Sequence, residues 1–212
     1  MPELPELEVV KEVLRRRVVG QSITAVEVVA GGALVVRDLT GAGLEPTCTG
    51  ATIENVDRRG KFLAFSVRPR DHSFLYLVLN PKLTGRLQLV RPNEKRFAKT
   101  HVVFSLSSED ELRYVDQRQM GQLYLTRTLD AVPEYARLGP EPFEISGEEF
   151  RSLLQHFHGE IKGILTRGEF VAGIGNAYAD EILWAARIYP YRKRTQLTLE
   201  ETDHLYRAMQ AT

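Results

Sequence analysis

Residues 170–184 read FVAGIGNAYADEILW, and their reading decides between two architectures. Gly173 and Gly175 stand just ahead of a helical pattern whose first turn holds Asn176. Two glycines permit a tight turn and a close approach of backbone N–H groups to a ligand, and the helix N-terminus attracts an anion such as phosphate. A Gly-x-Gly ahead of a helix also opens dinucleotide-binding βαβ units, but no strand precedes this one. Its neighbours are helical instead. Ser146 with Glu149 and Thr198 with Glu201 have the spacing of capping boxes ahead of EEFRSLLQHF and EETDHLYRAM, with EIKGILTR between them. The last third is therefore expected to be a bundle of about four short helices. The GIG turn is then either a plain interhelical connection or a grip on a nucleic-acid phosphate.

Upstream, LGPEPFEIS (138–146) holds two prolines and a glycine and reads as a linker. Between Ser22 and Arg127 the pattern is one of short apolar or alternating runs: SITAVEVVA, KFLAFSV, FLYLVLN, RLQLV, HVVFSL, LRYVD and QLYLT, separated by Gly, Pro, Asn and Asp. Such runs predict an antiparallel sandwich or barrel. Before them, Leu7, Val10, Val13, Leu14 and Val18 recur at helical spacing from Pro5 to Val19, with Gly20 at the C-terminal cap. The expected fold class is α+β: an N-terminal helix and antiparallel β-sandwich over 1–132, a linker over 133–145, and an all-helical domain over 146–212.

Composition bounds the function. The 28 basic and 28 acidic residues cancel, which argues against coating nucleic acid by bulk charge and leaves local distribution to decide. Basic residues cluster at Arg58, Arg59 and Lys61, at Lys82, Arg86, Arg91, Lys95, Arg96 and Lys99, and at Arg192, Lys193 and Arg194. Such runs are usually solvated faces and matter only if they converge on one groove. No apolar run approaches the roughly 18–20 residues that span a bilayer, and Glu3, Glu6 and Glu8 stand where a signal peptide needs positive charge. A cytoplasmic protein with no membrane partner is expected. Cys48 is the one cysteine, which excludes an internal disulfide and a cysteine-based zinc site within these residues.

Chemistry is suggested at the start, MPELPE. Removal of Met1 is expected when proline follows, and exposes the secondary amine of Pro2. An α-amino group has a pKa of about 7.7–8.0 against about 10.4 for lysine, so far more of it is a neutral nucleophile. Attack on a sugar C1′ would give an iminium with no N–H proton to lose, which acidifies C2′ and permits strand cleavage by elimination. Glu3 would be the acid or base. Taken by themselves, Pro2 and Glu3 fit a helix start better. Two loops are comparable: NPKLTGRL sets Leu83 between Lys82 and Arg86, and RYVDQRQMG sets Met120 beside Arg118. They read as surface residues on composition, or as wedges that enter a base stack.

Taken in order, MPELPE, RRGKFL, LTGRL, RYVDQRQMG, LGPEP and GIGNAYADE resemble the motifs of the formamidopyrimidine-DNA glycosylase (Fpg/Nei) family over nearly the whole chain. The resemblance implies a sandwich domain followed by a helix-two-turns-helix domain. It also implies a base-excision-repair glycosylase and abasic-site lyase acting on double-stranded DNA as a monomer in a prokaryotic cytoplasm. Pro2 would be the Schiff-base nucleophile, Glu3 the proton donor at the sugar, and Lys61 a phosphate contact in the site. Lys99 and Arg118 would touch DNA, while Lys162, Gly175 and Asn176 clamp the backbone. Leu83, Arg118 and Met120 would fill the hole left by the flipped nucleotide, and Glu6 and Glu181 would organise the site. Leu4 resembles the purine-directed branch, for 8-oxoguanine and formamidopyrimidines. The alternatives are an oxidised-pyrimidine glycosylase and a non-catalytic binder of damaged DNA. Departures lie at Asn80–Leu83, at Gln117, Gln119 and Met120, where a basic and an aromatic group are replaced, and at His156, Phe157 and His158. The family continues into a C-terminal zinc hairpin, so zinc is expected only if such a finger follows Thr212, and no cofactor is expected within the chain.

Overall fold

The computed structural model describes residues 2–29, 31–70 and 74–212. It divides into two compact units, 1–136 and 137–212.

The first unit opens with α1 (Leu4–Val18), one residue ahead of the expected start at each end. Its Leu4, Leu7, Leu14 and Val18 are buried, whereas Val9 and Val13 face out. Among the described residues nine strands follow: β1 (Ile23–Val28), β2 (Val36–Asp38), β3 (Thr52–Arg59), β4 (Phe62–Arg68), β5 (Leu75–Asn80), β6 (Gly85–Val90), β7 (Thr100–Leu106), β8 (Glu111–Asp116) and β9 (Gln122–Thr126), with a short α2 (Leu44–Cys48) between β2 and β3. One sheet runs β1-β7-β8-β6 and the other β2-β9-β5-β4-β3. The sandwich is antiparallel as expected save at one edge, where β2 pairs parallel to β9. That pairing is reached by the connection through the other sheet rather than by a hairpin. Ile53, Phe65, Leu77, Leu79 and Leu123 meet Ile23, Val102, Phe104, Leu112 and Tyr114 in its core. β8 is buried at every position, with Arg113 covered by the β6–β7 loop, whose carbonyls it binds.

α1 packs along β3 in a fixed register. Arg15 donates to the Val56 carbonyl at 2.6 Å, and Arg58 Nε lies 2.7 Å from Glu8 Oε2. As α1 is followed back toward its start, β3 advances toward its end. The N-terminus of the helix is thereby aimed at the β3–β4 turn, where Gly60 adopts φ +55°.

The second unit holds α3 (Gly147–Leu154), α4 (Ile161–Leu165), α5 (Asn176–Ala186) and α6 (Leu199–Ala211). The expected capping boxes are formed: the Ser146 hydroxyl accepts from Glu149 N, and Thr198 from Glu201 N. Phe150, Ile161, Ile164, Leu165, Phe170, Val171, Ile182, Leu183 and Leu205 make its core. Phe157, one of the departures at 156–158, packs into it against Phe170, with ring centres 5.2 Å apart. The Pro/Gly-rich 138–146 stretch is bonded into this unit, Gly139 N donating to Gly168 O and Ala172 N to Pro140 O.

Candidate active site and nucleic-acid interface

Pro2 is half-buried and immediately precedes Glu3, which caps α1. Glu3 is only 3% exposed. Its backbone N–H donates to Glu6 Oε2 at 2.9 Å, so Glu6 holds the helix start. Lys61, on the β3–β4 turn, comes close enough to Glu3 to feel its charge. Burial lowers the Lys61 pKa, the Lys82 charge lowers it further, and Glu3 opposes both. A buried carboxylate at the start of α1, next to Pro2 in the chain, and a partly desolvated amine thus act on one another. Met1, whose removal the sequence leads one to expect, lies outside the described residues.

The two expected wedge loops flank the adjoining ends of β5, β6, β8 and β9. Leu83 is 39% exposed and Met120 is 48% exposed. In the first loop Lys82 N donates to Asn80 Oδ1 at 3.2 Å, Lys82 takes φ +49°, and Gly85 N donates to Pro81 O, so the Asn-Pro-Lys departure is accommodated as a tight turn. Lys82 Nζ is held by Glu134 at 2.8 Å. In the second loop Gln119 takes φ +54°, and Arg118 is exposed with its N–H bonded to Thr84 Oγ1 at 3.1 Å. Lys99 is exposed just before β7.

Several expected basic clusters are consumed by internal bonds. Arg58 pairs with Glu8, and Arg96 with Glu27 and Glu111. Arg192 grips Glu201 and the Gln196 carbonyl, and Arg194 donates to the Phe157 and Gln155 carbonyls. The 192–194 run is therefore largely a brace of the helical unit. Two residues that sequence reading passed over do more. Arg113, only 1% exposed, pairs with Glu111 and donates to the carbonyls of Glu94, Arg91 and Pro92, which fixes the β6–β7 loop. Asp116 is fully buried and accepts bonds from both wedge loops. A charge inside an otherwise apolar strand, as in LRYVD, was the available signal.

In the second unit α4 is followed by two turns, closed by Arg167 N to Ile164 O and Phe170 N to Arg167 O, before Gly173 at φ +92° and Gly175 as the N-cap of α5. Asn176 is exposed in the first turn of α5, and Glu181 is exposed further along it. Lys162 projects from α4 onto Asp180, with Nζ 2.7 Å from Oδ1.

Cys48 is buried, its thiol pushed up to about 12 by burial and by Asp38. No group of three or more His, Cys, Asp or Glu side chains that could hold a metal forms among the described residues. Among those residues no helix is long and apolar enough to cross a membrane.

Comparison with known proteins agrees with this arrangement. Residues 1–123 match the formamidopyrimidine-DNA glycosylase N-terminal domain and residues 138–212 the formamidopyrimidine-DNA glycosylase H2TH domain. The chain belongs to the formamidopyrimidine-DNA glycosylase family. A formamidopyrimidine-DNA glycosylase of Symbiobacterium thermophilum is 38% identical over 97% of this chain and 67% of its own length. One of Lactococcus lactis is 36% identical over 97% of this chain and 74% of its own. Among solved structures, the Lactococcus lactis enzyme bound to DNA containing an abasic site superposes with a TM-score of 0.86, at 32% identity, over 98% of this chain and 76% of that one. MutM in complex with DNA containing carbocyclic 8-oxo-G gives a TM-score of 0.87 at the same identity and coverage.

Proposed function

We propose that this chain is a DNA glycosylase with abasic-site lyase activity, which releases oxidised purines such as 8-oxoguanine and formamidopyrimidines from double-stranded DNA. The observation that carries the reading is the charge contact of Lys61 with the buried Glu3, directly after Pro2 at the start of α1, in a member of this family.

In this reading residues 1–132 carry the chemistry and 146–212 grip the phosphate backbone, joined by 133–145. The Pro2 amine, freed of Met1, attacks C1′ of the damaged nucleotide, and the glycosidic bond breaks as the base departs. Glu3 delivers a proton to the sugar ring oxygen, which opens the ring and leaves an iminium on Pro2. That cation makes the C2′ proton acidic. Its loss drives out the 3′ phosphate, a second elimination drives out the 5′ phosphate, and water then hydrolyses the iminium. Lys61 contacts the phosphates beside the lesion, and its lowered pKa lets it share in moving the proton. Leu83, Arg118 and Met120 occupy the space left by the extruded nucleotide. Lys99 contacts the strand, and Lys162, the Gly175 N–H and Asn176 contact the backbone. The protein acts as a cytoplasmic monomer and needs no cofactor within these residues.

Competitive cleavage of matched duplexes carrying 8-oxoguanine or thymine glycol tests the assignment. Preferential cleavage of the 8-oxoguanine strand is expected, and a strong preference for thymine glycol would overturn the purine specificity.

A further inference from the structure

Asp116 ends β8 with 0% exposure, yet no cation pairs with its carboxylate among the described contacts. Its oxygens are satisfied by neutral donors. Oδ1 accepts from the Thr84 hydroxyl and from Arg118 N at 3.2 Å. Oδ2 accepts from Gly121 N at 2.8 Å and from the Tyr114 hydroxyl at 3.3 Å. The backbone of Asp116 joins a third segment, its N–H donating to Lys99 O at 3.0 Å and its carbonyl accepting from His101 Nε2 at 2.9 Å. Thr84 adds a bridge of its own, since its hydroxyl oxygen also accepts from Arg118 N.

A buried carboxylate costs far more than a buried amide, so its presence needs a reason. The donor count supplies one. Two oxygens accepting four bonds can be met by Asp, whereas Asn offers a single acceptor oxygen and would turn an amide N–H toward another donor. The hydrogen bonds outweigh the burial, which alone would raise the pKa, and hold the carboxyl below its ordinary value. Two glycines complete the arrangement. A Cβ on Gly85 would fall 2.6 Å from the Tyr114 hydroxyl, and one on Gly121 would overlap it. Neither glycine has a positive φ, so their smallness serves to let the tyrosine reach Asp116 between the two loops.

We propose that Asp116 is a positioning residue that locks the Leu83 loop to the Arg118–Met120 loop, so that the two wedges enter the DNA stack as one rigid unit. This rests on the glycosylase reading above. The carboxylate bonds the backbone of Arg118 and Gly121 rather than the wedge side chains. It acts through the loops that carry them, and a displacement of about 1 Å in such loops suffices to change rates severalfold or more.

The test compares two substrates under single-turnover conditions with saturating full-length protein: a duplex with 8-oxoguanine opposite cytosine, which needs base extrusion, and a duplex with a preformed abasic site, which does not. Asp116→Asn and, as a milder change at a half-buried position, Thr84→Val are expected to slow base release roughly tenfold or more while leaving abasic-site cleavage within about twofold of wild type. Leu83→Ala should add little in the Thr84→Val background, because the wedge is already uncoupled. Equal slowing on both substrates, no slowing by Thr84→Val, or full additivity with Leu83→Ala would overturn the proposal. If Asp116→Asn does not fold, the Thr84→Val results decide alone. A wild-type protein that cleaves neither duplex would overturn the glycosylase reading and this proposal with it.

Discussion

Asp180 Oδ1 lies 2.7 Å from Lys162 Nζ, tying α4 to α5 across the two turns that precede Gly175. The cation proposed to meet a phosphate is therefore already engaged by a carboxylate, and DNA must compete for it. Removing the competitor should help binding. Asp180→Asn is expected to tighten binding to an abasic-site duplex by roughly two- to fivefold. Lys162→Ala should weaken it and reduce the slope of log affinity against log salt by about 0.9. Fluorescence anisotropy across a salt series measures both, and an unchanged slope in Lys162→Ala would remove that residue from the phosphate contacts.

The helical unit depends on its caps. Ser146→Ala and Thr198→Ala each delete a hydroxyl that accepts from the third helical N–H, and each should cost about 1 kcal/mol. For a chain of this size that is a fall in Tm of roughly 2–4 °C, and the two should add, since they cap different helices. Calorimetry on the single and double variants reads the outcome.

These caps were legible in the sequence because a capping box is local, spanning four residues. The same is true of the strands β4 to β9, whose apolar runs are bounded by turn residues. β3 was harder: Asn55 and Asp57 interrupt TIENVDRR, and only its RRGKFL end drew notice. β2 is three residues long and is fixed by its parallel pairing to β9, which no local pattern announces. The candidate site divides in the same way. Pro2 and Glu3 could be weighed as chemical groups, but the approach of Glu3 to Lys61 follows from the register of α1 along β3. Asp116 was invisible as a hub because its partners are backbone N–H groups and hydroxyls on loops far apart in the chain.

Close packing around Tyr114 gives a sign-specific prediction. Gly121→Ala should strongly destabilise the first unit or disorder its loop, because the new methyl overlaps the tyrosine hydroxyl. Tyr114→Phe alone should also destabilise, through its lost bond to Asp116, by about 1–2 kcal/mol. Combined, the two should be less harmful than their sum, since removing the hydroxyl makes room for the methyl. Urea denaturation of the four proteins completes the cycle.

Acid sensitivity should be felt at α6. Arg192 and the Thr198 N–H hold the Glu201 pKa down from 4.5 to about 2. A carboxyl depressed in the folded state stabilises above its unfolded value, and that contribution is lost as pH falls from about 4.5 through about 2. Glu201→Gln should therefore lower the unfolding midpoint at neutral pH, with the gap to wild type closing below pH 4.5. A gap that stayed constant down to pH 2 would mean the ion pair contributes nothing through ionisation.

The central claim is that the Pro2 amine forms the covalent intermediate. Full-length protein whose N-terminus is verified by intact mass to begin at Pro2 should be incubated with an abasic-site duplex and borohydride, and the crosslinked peptide identified by mass spectrometry. A reduced sugar adduct on the nitrogen of Pro2 is expected, strongly diminished in Glu3→Gln. An adduct mapped to Lys61 or another lysine, or no adduct from the verified protein, would contradict it.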